Sequence, residues 1–462
     1  MSSSPSHNHT EQSKIVDFSE LEKIVLQALE QTKTPGATVA IVSGDNVIFV
    51  KGFGVSNVET GAPVTPDMLF RIGSLTKMFT AAVLVSLAEE GKLSLSEPIG
   101  KYVNGLSPKL ASVTAHQLLS HTSGLKDDFS HYGPHDESAL INAVRHYPDS
   151  YFLAQPGQLF SYSGLGYAVA GAVIEAIGEK PYSQQVVERV LEPMGMHRST
   201  FHPTLAMTYP FSQGHIVSEG ETPTVVRPYD DTAARWPSGF LFSSVNELAR
   251  FSIAFMNSGW ISGNPVLSPA VIAKMSTPQA VQPDGVQYGY GLGMGDERGV
   301  HTVQHNGARR GFCSYLLMAP EHRFAVIALA NQLEAVRVLA AAAGEAMKLR
   351  LPLSPELGAK PTPALPLSQT ALEDYVGAYE KPDVNATDTE NAEIFRKGNQ
   401  LFYKVGDSES PIVFIGEDSF VIEQPSTERP KFVISRGADG KVAYIHFSSR
   451  AWKKMNAQSC QD

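Results

Sequence analysis

Residues 71–80 read Arg71-Ile-Gly-Ser74-Leu-Thr-Lys77-Met-Phe-Thr80, placing a serine and a lysine three positions apart at the start of a long apolar helix. Residues i and i+3 share a helix face, so the Ser74 hydroxyl and the Lys77 amine can approach without help from the rest of the fold. A first-turn position also sets Ser74 at the positive end of the helix dipole, beside N–H groups with no intrahelical partner, where an anion is favoured by about 0.3–1 kcal/mol. The layout suits covalent catalysis, with a nucleophile and a candidate base. A second Ser-x-x-Lys, Ser123-Gly-Leu-Lys126, lies in the same chain. Context separates the two. After Ser74 an apolar run through Met78, Phe79, Val83 and Leu87 ends at Glu89-Glu90-Gly91, with the glycine at a helix C′ position. After Ser123, the residues Gly124, Lys126, Asp127 and Asp128 read as an exposed, non-catalytic turn.

Outward from this motif the chain divides. Its 462 residues exceed one ordinary core, since single domains cluster near ~100–150 residues and rarely pass about 250–300. Residues 1–17 read as a disordered tail and 18–350 as the catalytic domain. Within it, a helix near Phe18–Gln31 precedes a hairpin over Ala37–Val55 around Gly44-Asp45-Asn46. A mostly helical middle follows, and strands return at His301–His305, Phe312–Met318 and Phe324–Ala330 before a closing helix at Ala335–Lys348. Strands at both ends with helices between them predict an α+β fold, an antiparallel sheet flanked by helices. Residues 351–368 carry five prolines and read as a semi-rigid linker. Short strands with glycine turns over 369–458 predict a separate small all-β barrel or sandwich.

Net charge is −10 with no stripe of lysine and arginine, which excludes the electrostatic footprint of a nucleic-acid binder. The N-terminus lacks the basic start and apolar stretch of a secretory signal, and no run of ~18 apolar residues occurs, so a cytoplasmic protein with no membrane span is expected. Two cysteines, Cys313 and Cys460, form no disulfide framework and are expected as reduced thiols. His7 and His9 in the tail, and the absence of His-Glu-x-x-His or paired Cys-x-x-Cys, give no reason to expect a metal. No cofactor is needed.

A serine–lysine nucleophile needs its lysine deprotonated. Lowering the pKa from about 10.4 to about 7 costs roughly 4–5 kcal/mol, which burial or a neighbouring cation could supply. A tyrosine could share the proton. Tyr162, in Phe160-Ser-Tyr162-Ser-Gly164-Leu-Gly-Tyr167, sits where a loop enters a helix and can face a cleft. The third element is His305-Asn306-Gly307-Ala308, ending a short strand, with Gly307 leaving room for a substrate backbone. Tyr288 and Tyr290 lie in a glycine-rich aromatic stretch and suit either the pocket wall or the core. His121, in Ser-His-Thr-Ser-Gly, reads as structural, since no Gly-x-Ser-x-Gly elbow accompanies it.

In this order and at these separations, Ser74-x-x-Lys77, Tyr162-Ser-Gly164 and His305-Asn306-Gly307 resemble the penicillin-binding-protein and class C β-lactamase superfamily. Leu118–Leu125, Glu192–Met196, Pro237–Ser243 and Tyr288–Gly293 are similar too, so the resemblance covers about residues 20–350. The tail, on its size, position and Tyr375-Val-Gly-Ala-Tyr379, is similar to the lipocalin-like domain of some peptidases, esterases and peptide-cyclising thioesterases of that group. The resemblance implies a β-lactamase/transpeptidase-like fold with a C-terminal barrel, a Ser74 nucleophile, and proton transfer through Lys77 and Tyr162. It implies an oxyanion site at the N–H groups of Ser74 and Ala308, counts His305 with Ser74, Lys77 and Tyr162 among the catalytic residues, and places Gly307, Asn306 and Gly164 around the substrate.

Two positions depart from the superfamily pattern. Gly164 stands where Tyr-x-Asn is common, and His305 replaces the lysine of Lys-Thr-Gly, leaving Arg309 or Arg310 to anchor a substrate carboxylate. Both departures point to a peptidase or esterase acting on small peptides, possibly with D-residues, or on small esters. A β-lactamase or D-alanyl-D-alanine carboxypeptidase is the alternative, and a catalytically silent binding protein is the alternative from another class. Partners are limited to substrate and, through the β-domain, a further copy of the chain.

Overall fold

The computed structural model describes residues 16–218, 221–355, 372–416, 418–423, 431–447 and 449–455. His7, His9, Cys460 and the larger part of the expected linker, 356–368, lie outside the described residues.

Nine antiparallel strands form one sheet, in the order Ala280–Val281, Gln287–Tyr288, Gly293–Glu297, Val300–Arg309, Phe312–Ala319, Phe324–Ala330, Gly36–Ser43, Asn46–Asn57, Ala62–Pro63. The two ends of the unit meet where Gly36–Ser43 pairs with Phe324–Ala330, Val39 opposite Ala328. The alternation of a strand divides this buried pair between two cores. Val39 and Ile41 join Val326 and Ala328 under the helices Ser19–Thr32 and Val336–Arg350, while Ala40 and Val42 join the larger core on the other face. Burying each Val or Ile contributes about 1.5–3 kcal/mol.

The helix Thr76–Glu89 runs through that larger core and is apolar on nearly every side, as a central helix must be. A 3₁₀ turn, Gly73–Leu75, leads into it, so Ser74 stands on the turn before the helix and not in its first turn. The middle of the unit is helical, including Ala115–Leu119, Gly164–Gly178 and Val245–Met256. No helix among the described residues is long and apolar enough to cross a membrane.

The C-terminal segment is a closed eight-stranded antiparallel barrel, and a sandwich is excluded. Two of its strands escape sequence reading: Gly377–Glu380 is short, and Arg450–Lys454 carries Arg450, Lys453 and Lys454 in five residues. They pair with each other, Tyr379 opposite Lys454, and close the barrel. Its interior is filled by Tyr375, Tyr379, Phe414, Phe420, Phe432 and Trp452, with Phe420 and Phe432 stacked at 4.8 Å.

Candidate active site

The strand Val300–Arg309 lies against the turn that carries Ser74, and two glycines permit the approach. A Cβ on Gly73, whose φ is +52°, would come within 2.5 Å of the Ala308 nitrogen, and one on Gly307 within 2.1 Å of the Ile72 carbonyl oxygen. Gly307 is therefore buried against main chain and offers no room to a substrate, contrary to the sequence expectation. The strand runs on through His305 and Gly307 to Arg309, instead of ending at His305.

Lys77 is 2% exposed. Its Nζ contacts Ser74 Oγ at 3.1 Å and donates to the Ser238 carbonyl oxygen at 2.6 Å. Burial holds the amine well below the ordinary lysine range; Asp127 pulls the other way, and Arg450, Arg235 and Arg309 add to the depression. The condition that a serine–lysine pair requires, a lysine able to be neutral, is met by the environment. Ser238 was not singled out from sequence, since a backbone acceptor leaves no side-chain signature.

Tyr162 lies in the segment before the helix Gly164–Gly178 and lines the cleft with Ser74, its ring centroid 4.7 Å from Lys77 Nζ. Burial raises its pKa, only partly offset by Ser74 and Arg450, so the neutral phenol is the resting form. Ser163 caps the helix by accepting from the Gly166 N–H. The Gly164 N–H donates to Asp127 Oδ1 at 2.8 Å, and a Cβ there would sit 2.7 Å from an Arg235 nitrogen and 2.8 Å from Asp127 Oδ1. Gly164 is closed off by these two side chains and does not face the cleft as a substrate contact.

His305 is buried and both its ring nitrogens are engaged. Nδ1 lies 2.5 Å from the Asn306 carbonyl oxygen and Nε2 lies 3.1 Å from the Tyr288 hydroxyl. The same hydroxyl meets His121 Nε2 at 3.2 Å, and His121 Nδ1 accepts from the Ser163 N–H. The partners assign the hydrogens: a carbonyl demands a proton on His305 Nδ1, an N–H donor demands a bare His121 Nδ1, and Tyr288 accepts from His121 and donates to His305. Burial, reinforced by Lys77, pushes His305 down to about 4, and His121 is also held low. His305 is thus a neutral ring with both of its nitrogens bonded to the protein. Tyr288, undecided between wall and core, does both: it lines the cleft and links the two histidines.

Asn306 and Ala308 are exposed and line the cleft. Arg309 is turned away from the anchoring role expected of it. It donates twice to Asp230 Oδ2, at 3.0 and 2.7 Å, and stacks 3.9 Å over the Phe240 ring. Arg310 donates to the Tyr132 hydroxyl at 2.6 Å. The second Ser-x-x-Lys is not brought together: Lys126 Nζ pairs with Glu380 at 2.5 Å. Its turn is not exposed, however, since Ser123 and Asp127 are buried. Cys313 is buried too, its thiol pushed up to about 12. Among the described residues no cluster of three or more His, Cys, Asp or Glu suits a metal.

The cleft at Ser74 measures about 460 Å³, and part of its wall comes from the barrel, through Ser449 and Arg450 at the tip between strands Val442–Phe447 and Arg450–Lys454. Neither residue was anticipated, because nothing in local sequence places a hairpin tip more than 370 residues from Ser74 beside it.

The sequence model of the Beta-lactamase family matches residues 21–348. Protein flp of Staphylococcus aureus (strain MW2) is 26% identical over 331 residues, covering 68% of this chain; the chain spans 62% of that relative's length. The octameric penicillin-binding protein homologue from Pyrococcus abyssi is similar in structure, with a TM-score of 0.65 and 26% identity over 95% of this chain and all of that one. The crystal structure of SurE shares the fold, with a TM-score of 0.75 and 22% identity over 94% of this chain and 98% of that one.

Proposed function

Since the chain belongs to the Beta-lactamase family, we propose that it is a serine hydrolase that forms an acyl-enzyme on Ser74 and passes the acyl group to water or an amine. The observation that carries this reading is the buried Lys77 amine 3.1 Å from Ser74 Oγ. The neutral amine accepts the Ser74 proton as Oγ attacks the acyl carbon. The oxyanion accepts hydrogen bonds from the N–H groups of Ser74 and Ala308, preorganised donors being worth about 3–4 kcal/mol each. Tyr162, a neutral phenol against Ser74, relays a proton to the leaving group, assistance worth about 10²–10⁴-fold. Deacylation reverses the transfers with water or an amine as the nucleophile.

The substrates proposed are small peptides or amides, with D-configured or otherwise unusual residues, or small esters. A cleft of about 460 Å³ walled by Ser449 and Arg450 suits a short acyl donor. Arg235 and Asp127 fill the niche at Gly164, so no side-chain amide stands there for the carbonyl of a β-lactam. That favours a peptidase or esterase over a β-lactamase or D-alanyl-D-alanine carboxypeptidase. The similarity to an octameric homologue supports self-association of this chain.

The test compares initial rates of wild type, Ser74→Ala and Ser123→Ala on a short-acyl nitrophenyl ester, a D-amino-acid peptide amide and a chromogenic cephalosporin. Turnover lost in Ser74→Ala and kept in Ser123→Ala supports the reading, and the fastest substrate identifies the acyl donor class. No turnover on any of the three moves the weight to a binding protein with a silent site.

A further inference from the structure

Where the barrel meets the catalytic unit, Asp127 is bonded to both. The Asp127 N–H donates to the Pro382 carbonyl oxygen at 2.7 Å, and its own carbonyl accepts from the Val384 N–H at 3.0 Å. Its carboxylate is 4% exposed and splits its two oxygens between the two units. Oδ1 accepts from the N–H groups of Gly164 and Asp128, while Oδ2 accepts from Arg450 Nε at 3.0 Å and Nη2 at 2.7 Å. Arg235 flanks the same carboxylate at 3.6 Å and is itself held by the Asp128 carbonyl oxygen at 2.8 Å.

The contact reaches the nucleophile through Tyr162. The Arg450 guanidinium lies 4.9 Å from the Tyr162 ring centroid. The residue before it, Ser449, accepts the Tyr162 N–H at 2.8 Å, and the residue after it, Ala451, donates to Ser161 Oγ at 3.2 Å. Three consecutive barrel residues thus grip two consecutive residues beside Ser74. Gly164 is what lets the carboxylate and Arg235 come so close, since any side chain at that position would displace one of them.

Resting on the hydrolase reading above, we propose that Asp127 and Arg450 are a positioning pair, completing the Ser74–Lys77–Tyr162 site only when the barrel is docked. The two act on the site with opposite charge. Lys77 is faced from the turn before its helix by Ser74, and from the helix entry and helix Gly164–Gly178 by Tyr162 and Tyr167. His121 and His305, both neutral, approach it from the loop after Ala115–Leu119 and from the strand. The ions around it are Asp127, which favours the ammonium, and Arg450, Arg235 and Arg309, which oppose it. Arg450 therefore does more than fasten the barrel: it offsets the carboxylate that favours the ammonium form of Lys77. Removing that guanidinium takes away a cation that opposes the Lys77 ammonium and leaves Asp127, still flanked by Arg235, to favour it.

The experiment uses the full chain with Asp127→Asn, Arg450→Gln and both together, measured across pH on the best substrate found above. Each single variant is expected to lose at least tenfold in kcat with KM changed less than threefold. The acidic limb of kcat/KM should move up in Arg450→Gln and down in Asp127→Asn, and the double variant should lose no more than the worse single one. A purely structural role would not move the two limbs in opposite directions. Equal or absent limb shifts overturn the proposal, as does a multiplicative loss in the double variant. An effect on KM alone, confined to substrates with a free carboxylate, also overturns it, making Arg450 a substrate anchor. Wild type without Ser74-dependent turnover sinks the hydrolase reading itself, and the pair is then decided by the melting temperatures of the same three variants. Non-additive shifts would support it and additive shifts would overturn it.

Discussion

Lys77 Nζ stands 3.1 Å from Ser74 Oγ and 2.6 Å from the Ser238 carbonyl oxygen, so one buried nitrogen joins the Ser74 hydroxyl to the main chain of a distant segment. A neutral amine has N–H groups to donate and one lone pair to accept, which fits a carbonyl on one side and a hydroxyl on the other. With burial holding Lys77 low and Tyr162 raised, kcat/KM should rise with pH through a value well below the ordinary lysine pKa of about 10.4 and then stay level. Lys77→Gln, which keeps a polar group but no base, should lower kcat about 10³-fold. A pH–rate profile with its acidic limb at the ordinary lysine value would contradict the neutral-amine role.

Tyr162→Phe removes the phenol against Ser74 while leaving the ring packed beside Lys77. A loss of at least 10²-fold in kcat is expected, with the melting temperature little changed. Kinetics within tenfold of wild type would assign the proton transfers to Lys77 alone.

Tyr288→Phe breaks the link between His121 and His305. Each imidazole loses a buried partner, at a cost of about 1–3 kcal/mol per unsatisfied group. About a tenfold fall in kcat is expected, and nitrogen-15 shifts of labelled histidine should show the His305 ring no longer held in one tautomer. A ring that stays in the Nδ1–H form with normal rates would show that Asn306 suffices to orient it.

The buried histidines also set a pH window for stability. His305 falls from 6.5 to about 4 on folding, so between those values the unfolded chain binds a proton that the folded chain does not. Stability is fully present above about 6.5 and is lost as pH falls toward about 4, by about 3 kcal/mol for this one group. Urea titrations of wild type and His305→Gln at pH 7 and pH 5 check the sign: the variant should show the shallower decline.

Gly164→Asn restores the residue that the superfamily pattern favours, yet its Cβ would fall 2.7 Å from Arg235 and 2.8 Å from Asp127. The expected result is a lower melting temperature and reduced kcat, with no gain in cephalosporin turnover. A stable variant with improved β-lactam hydrolysis would show that the niche can be emptied without harm.

Much of the fold was legible in the sequence because its signals are local. The apolar run after Ser74, the hairpin around Gly44 and the unbroken apolar run Phe324–Ala330 each reflect one element burying one face or two. Strands without such a signal, among them Gly293–Glu297 and Arg450–Lys454, hold their places by pairing with neighbours, and their own residues are glycine-rich or charged.

By itself, then, the sequence determined the α+β class and the spacing that carries Ser74 and Lys77 on one turn and helix, since an i, i+3 relation is a property of the backbone alone. It also marked Tyr162 at a helix entry. Tertiary structure decided what surrounds them. Burial holds the Lys77 amine well below its ordinary range, and the Asn306 carbonyl and Tyr288 make His305 a neutral bonded ring. Asp230 draws Arg309 away, while the Ile72 carbonyl packs against Gly307. The turn at Asp127, exposed to a reading of its composition, is buried because the barrel lies on it and Arg450 answers its charge. Desolvation and ion pairing depend on which distant segments meet, and no local pattern of residues records that.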